Sequence, residues 1–238
     1  MIEEKIKIET TKSRFSDAPW FEASTIQDTA ILIGGAGGIG SWTALLLSRI
    51  GFPIYLYDDD TVESVNIAGQ FYTLENIGLS KTAAVKKNIE QYTDNKSIYP
   101  FTQKVDSNTP ANDIMISAFD NMEARKTMFD IWLNAVEGGL LGNNPIYIDG
   151  RMEAEVAQVY FVTPKRVDRY MKTLFDDDAV PDLNCSYKST SHNGAIIGGM
   201  ITSGLLNHLS NVRSNVIFRS LPFCVEYELP LLNFQKIM

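Results

Sequence analysis

Three glycines in the stretch AILIGGAGGIGSW, residues 30–42, stand as G-x-G-x-x-G at Gly35, Gly37 and Gly40. An apolar run precedes them and a helical pattern follows. In that setting the first glycine permits a tight turn, the second lets the backbone approach a phosphate, and the third lets helix and strand pack closely. The helix N-terminus adds partial positive charge. Asp58 follows at about the spacing of an acid that binds a ribose hydroxyl. No Lys-Ser or Lys-Thr follows the last glycine, so the loop is not a P-loop. These residues point to a nucleotide. They do not separate a nicotinamide dinucleotide from ATP, and a glycine turn used only for packing is the plainer alternative.

The loop needs a strand before it and a helix after it, and the pattern supplies both. Residues 30–34 read as a short buried strand and 38–50 as an amphipathic helix. Further strands are expected at 53–57, 97–104, 113–120, 145–150 and 154–162, with helices near 80–93 and 122–136. The 154–162 segment alternates apolar and polar residues, which suggests one wet face. Strands alternating with helices predict an α/β Rossmann-like fold, a mostly parallel sheet with helices on both faces. After a polar, acidic loop at 175–193 come a helix at 194–209 and two short strand-like pieces near 214–219 and 223–229.

The chain has 238 residues, 45% of them hydrophobic, which suffices for one sizeable core. Its net charge of −8 makes nucleic acid an improbable partner. The start, MIEEKIKIET, has no apolar core of a signal peptide, and no apolar run is long enough to span a membrane. Two cysteines, Cys185 and Cys224, without any CxxC, fit a reducing, cytoplasmic setting and predict no zinc site. With only His192 and His208, a histidine-based metal cage or triad is not expected.

The stretch YDDDTVESVNIAGQFYTLENIGLSKTAAVKK carries more than a dinucleotide enzyme requires. Together with GAGGIGS and Asp120-Asn121 it resembles the ThiF/MoeB/HesA family, the bacterial relatives of ubiquitin-activating E1 enzymes. That family reads as G-x-G-G-x-G-S, then D-x-D-x-V-x-x-x-N-x-x-R-Q, then I-G-x-x-K, then a strand ending in D-N. The close match runs over residues 30–125, and a looser one from Cys185 through the helix at 194–209. The resemblance implies adenylation: a carboxylate, typically the C-terminus of a small ubiquitin-like protein or peptide, attacks the α-phosphorus of ATP and pyrophosphate leaves. It implies nucleotide contacts from Gly35, Gly37, Gly38, Gly40, Asp58, Asp60, Asn66, Gln70, Lys81 and Asn121, and Mg²⁺ on Asp120. Lys81 and Asp120 become catalytic candidates, Arg14 a finger reaching across a homodimer, and Cys185 an acceptor for the acyl group or sulfur. It also implies a single domain over 1–238, with an arm at 1–25, a nucleotide-binding half at 26–140 and a substrate and dimer half at 141–238.

One family residue is absent. NIAGQ puts Gly69 where the family has the arginine of N-x-x-R-Q. Candidates to replace that cation are Arg14, Arg125 and Arg151. Each has a plainer reading, for Arg125 a helix-surface or ion-pair role. Singly, Asp58 also reads as a turn cap, Lys81 as a solvated charge and Asn121 as a helix N-cap. Two other readings stay open. An NAD-dependent oxidoreductase explains the glycine loop and Asp58 but not Asn66, Lys81 or Asp120-Asn121. A non-catalytic nucleotide- or protein-binding module explains Gly69.

Overall fold

The computed structural model describes residues 15–153, 155–176, 191–214 and 219–238. Arg14 and Cys185 lie outside them. One eight-stranded sheet runs through the molecule in the order β3-β2-β1-β4-β5-β6-β7-β8. The strands are β1 (Ile31–Gly34), β2 (Ile54–Tyr57), β3 (Ile98–Phe101), β4 (Ile114–Ser117), β5 (Ile146–Glu153), β6 (Val156–Val162), β7 (Cys224–Glu228) and β8 (Asn233–Ile237). Strands β1 to β5 pair in parallel, and β5 to β8 continue as an antiparallel wing. The parallel part ends in one register: Gly34 lies beside Tyr57 and Ser117, Tyr57 beside Phe101, and Ser117 beside Asp149. This shared carboxyl edge is where open α/β sheets bind ligands.

The helices are α1 (Ala23–Asp28), α2 (Gly40–Ile50), α3 (Lys81–Tyr92), α4 (Met122–Glu137), α5 (Val167–Met171) and α6 (Ser191–Ser214). Strands β1 and β4 are buried along their whole length, because helices cover both faces there. One apolar cluster joins Ile33, Leu47, Ile54, Ala84 and Ile197 on one face. A second, rich in aromatics, joins Met115, Phe129, Trp132, Tyr147 and Tyr170 on the other. Helix α6 lies against the glycine loop and α2. A Cβ on Gly194 would meet the Gly38 carbonyl at 2.1 Å, and one on Gly198 the Thr43 amide at 3.2 Å. Those glycines weaken the helix by roughly 1 kcal/mol each relative to alanine, and the close approach of another backbone explains them. Nothing in the structure explains Gly199, which has open space around it.

The expected fold is the observed one, with local differences. The short α1 and α5 and the edge strand β8 were not anticipated. The helix expected from 194 begins at Ser191, so 191–193 belong to it and not to the loop. Ser214 ends this helix instead of starting a strand, and 215–218 lie outside the described residues. Within the described residues no helix is long and apolar enough to cross a membrane.

Candidate nucleotide site

The glycine loop is built by three different demands. Gly35 adopts a φ of +91°, and a Cβ there would meet the Ala118 carbonyl at 2.7 Å. A Cβ on Gly40 would sit 1.8 Å from the Gly35 carbonyl oxygen, so the loop closes only over a bare α-carbon. Gly37 differs: its φ is not positive, and a Cβ there would meet no atom within 4 Å. Neither backbone nor packing requires glycine at 37. Room for a close-lying ligand is the remaining use, and a nucleotide phosphate fits it.

Asp58, directly after β2, closes on this loop. Its carboxylate accepts the Ala36 amide at 2.7 Å and the Asp60 amide at 2.9 Å. Burial pushes its pKa up, and the Ala36 hydrogen bond and the Lys81 charge offset only part of that rise. The turn-cap reading therefore holds for Asp58, without consuming all of its acceptor capacity. Tyr72 supports the other side. Its hydroxyl donates to the Ala36 carbonyl at 2.5 Å. Burial, then the charges of Asp58 and Asp60, keep that phenol protonated.

Lys81 opens α3, and the backbone before it fixes where it stands. Its amide donates to the Asp60 carbonyl at 2.9 Å, Val62 donates to the Leu79 carbonyl at 2.8 Å, and Thr61 and Ser80 form an antiparallel bridge. The ammonium reaches the Asp60 carboxylate at 2.6 Å. Its side chain is only 11% exposed, so it is not a solvated charge. Burial alone would lower its pKa. The hydrogen bond to Asp60 and the charges of Asp58, Asp60 and Asp120 outweigh that and raise it, so Lys81 is a permanent cation. Asp60, Thr61, Glu63, Asn66 and Lys81 line a small polar cleft.

Of the remaining candidates, Asn66 lines this cleft, and Asp120 lies near enough for its charge to act on Lys81. Asn66 uses its side-chain oxygen to accept the Glu63 amide at 2.8 Å, in a capping box over the turn Ser64–Asn66. Its amide nitrogen is the part left for a ligand. Gln70 keeps a buried Oε1 without a partner among the described residues. Gly69 is buried, and its amide donates to the Asn66 carbonyl at 3.2 Å. Asp120 and Asn121 are exposed at the end of β4. Asn121 caps α4 by accepting the Ala124 amide at 2.8 Å. Asp120 accepts the Asn121 amide nitrogen at 3.2 Å. A carboxylate beside anionic phosphates offers the oxygen ligands that a hard divalent cation takes.

Arg125 and Arg151 do not face this cleft. Both converge on Asp149, at the end of the parallel part of β5 and wholly buried. Arg125 pairs with one carboxylate oxygen, and Arg151 reaches the other at 2.6 Å. Tyr170 donates to the same carboxylate at 2.9 Å. Arg151 also holds the Thr173 carbonyl at 2.9 Å and stacks 4.5 Å from the centre of the Tyr160 ring. Burial would raise the Asp149 pKa. The guanidinium of Arg125, then Arg151 and the hydrogen bonds, outweigh it and hold the carboxyl below its ordinary value. Arg125 is thus the ion-pair residue. Sequence reasoning missed Asp149 and Tyr72. The acid at the end of the IYIDG strand was a visible signal for the first, and no motif marked the second. Cys224 is a buried thiol, pushed up to about 11 by burial. It belongs to the core.

A strand, a glycine loop, an acid after β2 and a buried lysine meet on one carboxyl edge of a Rossmann-like fold. The ThiF family model matches residues 13–237, and the chain belongs to that family. Ubiquitin-like modifier-activating enzyme 5 of Drosophila sechellia is 35% identical over 118 residues, 42% of this chain and 29% of that protein. Its counterpart in Aedes aegypti is 30% identical over 145 residues, 51% of this chain and 36% of the other. The chain thus matches well under half the length of these curated relatives. Among solved structures, E. coli MccB with ATP superposes with a TM-score of 0.67 at 15% identity, covering 90% of this chain and 64% of the other. PaaA superposes with a TM-score of 0.66 at 16% identity, covering 98% and 71%. These likenesses establish the fold.

Proposed function

We propose that this protein activates a carboxylate by ATP- and Mg²⁺-dependent adenylation, and that the carboxylate is the C-terminus of a small ubiquitin-like protein or peptide. The observation that carries the reading is the meeting of the open Gly37 cradle, Asp58 and the buried Lys81 ammonium on one edge of the sheet. Gly35, Gly37, Gly38 and Gly40 give the phosphates a close backbone approach. Asp58 orients the ribose. Lys81, with Asn66 and Gln70, holds the triphosphate where charge builds up as the carboxylate oxygen attacks the α-phosphorus. Asp60 keeps Lys81 in place until the nucleotide arrives. Asp120 would hold Mg²⁺ beside Asn121, and that ion would supply further positive charge to the phosphate oxygens.

The arginine missing at Gly69 is not replaced by Arg125 or Arg151, whose guanidinium groups are spent on Asp149. In this reading Arg14 of a second copy supplies the cation in a cytoplasmic homodimer, and Cys185 receives the activated acyl group. ThiF membership and the grouping of Lys81 with Asp120 favour ATP over a nicotinamide dinucleotide. Gly69 favours a second reading, nucleotide binding without adenylation.

The test incubates the protein with Mg-ATP and a panel of small proteins and peptides ending in glycine. Pyrophosphate release that depends on one of them, with a hydroxylamine-trappable acyl-adenylate, is the expected result. Tight ATP binding with no pyrophosphate release across the panel would favour the binding module.

A further inference from the structure

We propose that Arg125, locked by Asp149, is a positioning residue that sets the place of Asp120. The inference rests on the adenylation reading, in which Asp120 carries the metal ion. Asp120 is exposed, and the described hydrogen bonds give its carboxylate only its neighbour Asn121. Its place is therefore set by the backbone of the turn between β4 and α4.

That turn is held from three sides. On the loop side, the Ala118 amide donates to the Gly34 carbonyl at 2.8 Å, and Gly35 packs so tightly on Ala118 that no Cβ fits. On the helix side, Asn121 caps α4. The third hold is Arg125. Its guanidinium donates to the Phe119 carbonyl, directly before Asp120. The same group donates to the Gly150 carbonyl at 2.9 Å and pairs with Asp149. One planar fork thus joins the turn before Asp120 to the middle of β5.

The chemistry explains why the residue is arginine and why an acid stands opposite. Three acceptors in different directions match a guanidinium and not an ammonium. Arg125 is 5% exposed and Asp149 fully buried, so a charge there needs a partner. Their burial also keeps both groups away from the nucleotide. They act through Asp120, as outer partners of metal ligands do. Asp149 holds a second arginine, Arg151, whose other arm goes to Thr173 on the far side of the clamp. This offers an internal control: Thr173→Ala loosens the clamp without touching the Phe119 carbonyl.

The experiment titrates Mn²⁺ by electron paramagnetic resonance into full-length protein holding a non-hydrolysable ATP analogue. It compares wild type, Arg125→Gln and Thr173→Ala at a temperature below every melting midpoint. Arg125→Gln is expected to weaken Mn²⁺ by about tenfold or more, as loss of an outer partner does. Its affinity for the analogue without metal, and the Mn²⁺ affinity of Thr173→Ala, should stay at the wild-type values. Unchanged Mn²⁺ affinity in Arg125→Gln, or equal losses in both variants, would overturn the positioning role and leave the adenylation reading standing. If wild-type protein binds neither analogue nor Mn²⁺, the adenylation reading falls and this inference with it. Should Arg125→Gln not fold, Arg125→Lys keeps the charge beside Asp149 while losing the fork, and is read by the same outcomes.

Discussion

Asp58 and Asp149 stand on the same carboxyl edge of one sheet, and their surroundings are opposite. Asp58 receives two backbone amides and feels one lysine at a distance, and its pKa rises because burial wins. Asp149 receives two guanidinium groups and a phenol, and its pKa falls although it is the more buried. Around Asp58 stand Asp59, Asp60 and Lys81, a region short of positive charge and open to a cleft. Around Asp149 the arginines outnumber the acid and the space is closed. The first region keeps polar groups open to a ligand, and its excess of acids calls for a cation to accompany a ligand rich in negative charge. The second has spent its capacity on the protein. Polar residues of similar chemistry thus serve a site in one place and a scaffold in the other, and the difference lies in what remains unpaired.

Substitutions can break this contrast. The largest effect is expected for Asp149→Ala, which strands Arg125 and Arg151 in the core and should cost about 3–5 kcal/mol in urea unfolding. Asp58→Ala should cost far less stability while removing nucleotide binding. Gly40→Ala comes next. Its Cβ would strike the Gly35 carbonyl, and overpacking of this kind costs about 1–3 kcal/mol. Gly37→Ala sharpens the point. With open space around it, stability should stay within about 0.5 kcal/mol. ATP affinity should nevertheless fall by about tenfold or more, about 1.4 kcal/mol.

The two acids should also separate in pH. Asp149 has a depressed pKa when folded, so its contribution is present above the ordinary carboxylate value of about 3.9 and is lost as pH falls through the lower folded value. Asp58 has a raised pKa when folded. Its contribution is present below about 3.9 and is lost as pH rises through the folded value. Relative to wild type, Asp58→Asn should therefore gain stability as pH rises from about 3.9 through the raised Asp58 value, and Asp149→Asn should lose it as pH rises from the lowered Asp149 value towards about 3.9. Denaturant midpoints measured from about pH 2 to about pH 7 check both signs. The smallest effect is expected for Asp60→Ala. Its carboxylate is mostly exposed, and such pairs contribute about 0–1 kcal/mol, so only the hold on Lys81 should change.

Much of this was legible in the sequence because the β1-loop-α2 unit is local. Period, glycine spacing and the acid after β2 lie within a short stretch, and each constrains the same few atoms. Lys81 was legible as a motif residue, but its burial was not, since that depends on the Thr61–Ser80 bridge folding two distant turns together. Asp149 escaped because its partners come from α4, α5 and its own strand, and no short-range pattern announces a pairing across 24 residues. Edge strand β8 escaped for a simpler reason. NFQKI is exposed throughout and so carries no clear apolar alternation. Arg14 and Cys185, the two residues that the family resemblance draws into catalysis from elsewhere, lie outside the described residues.

The central claim is that the edge around Asp58 and Lys81 is an ATP site. Calorimetric titration of the purified protein with Mg-ATP, with NAD⁺ as comparison ligand and Asp58→Ala as control, tests it most directly. Saturable ATP binding that the variant loses, with no heat from NAD⁺, is the predicted result. Tight NAD⁺ binding with no response to ATP would contradict it.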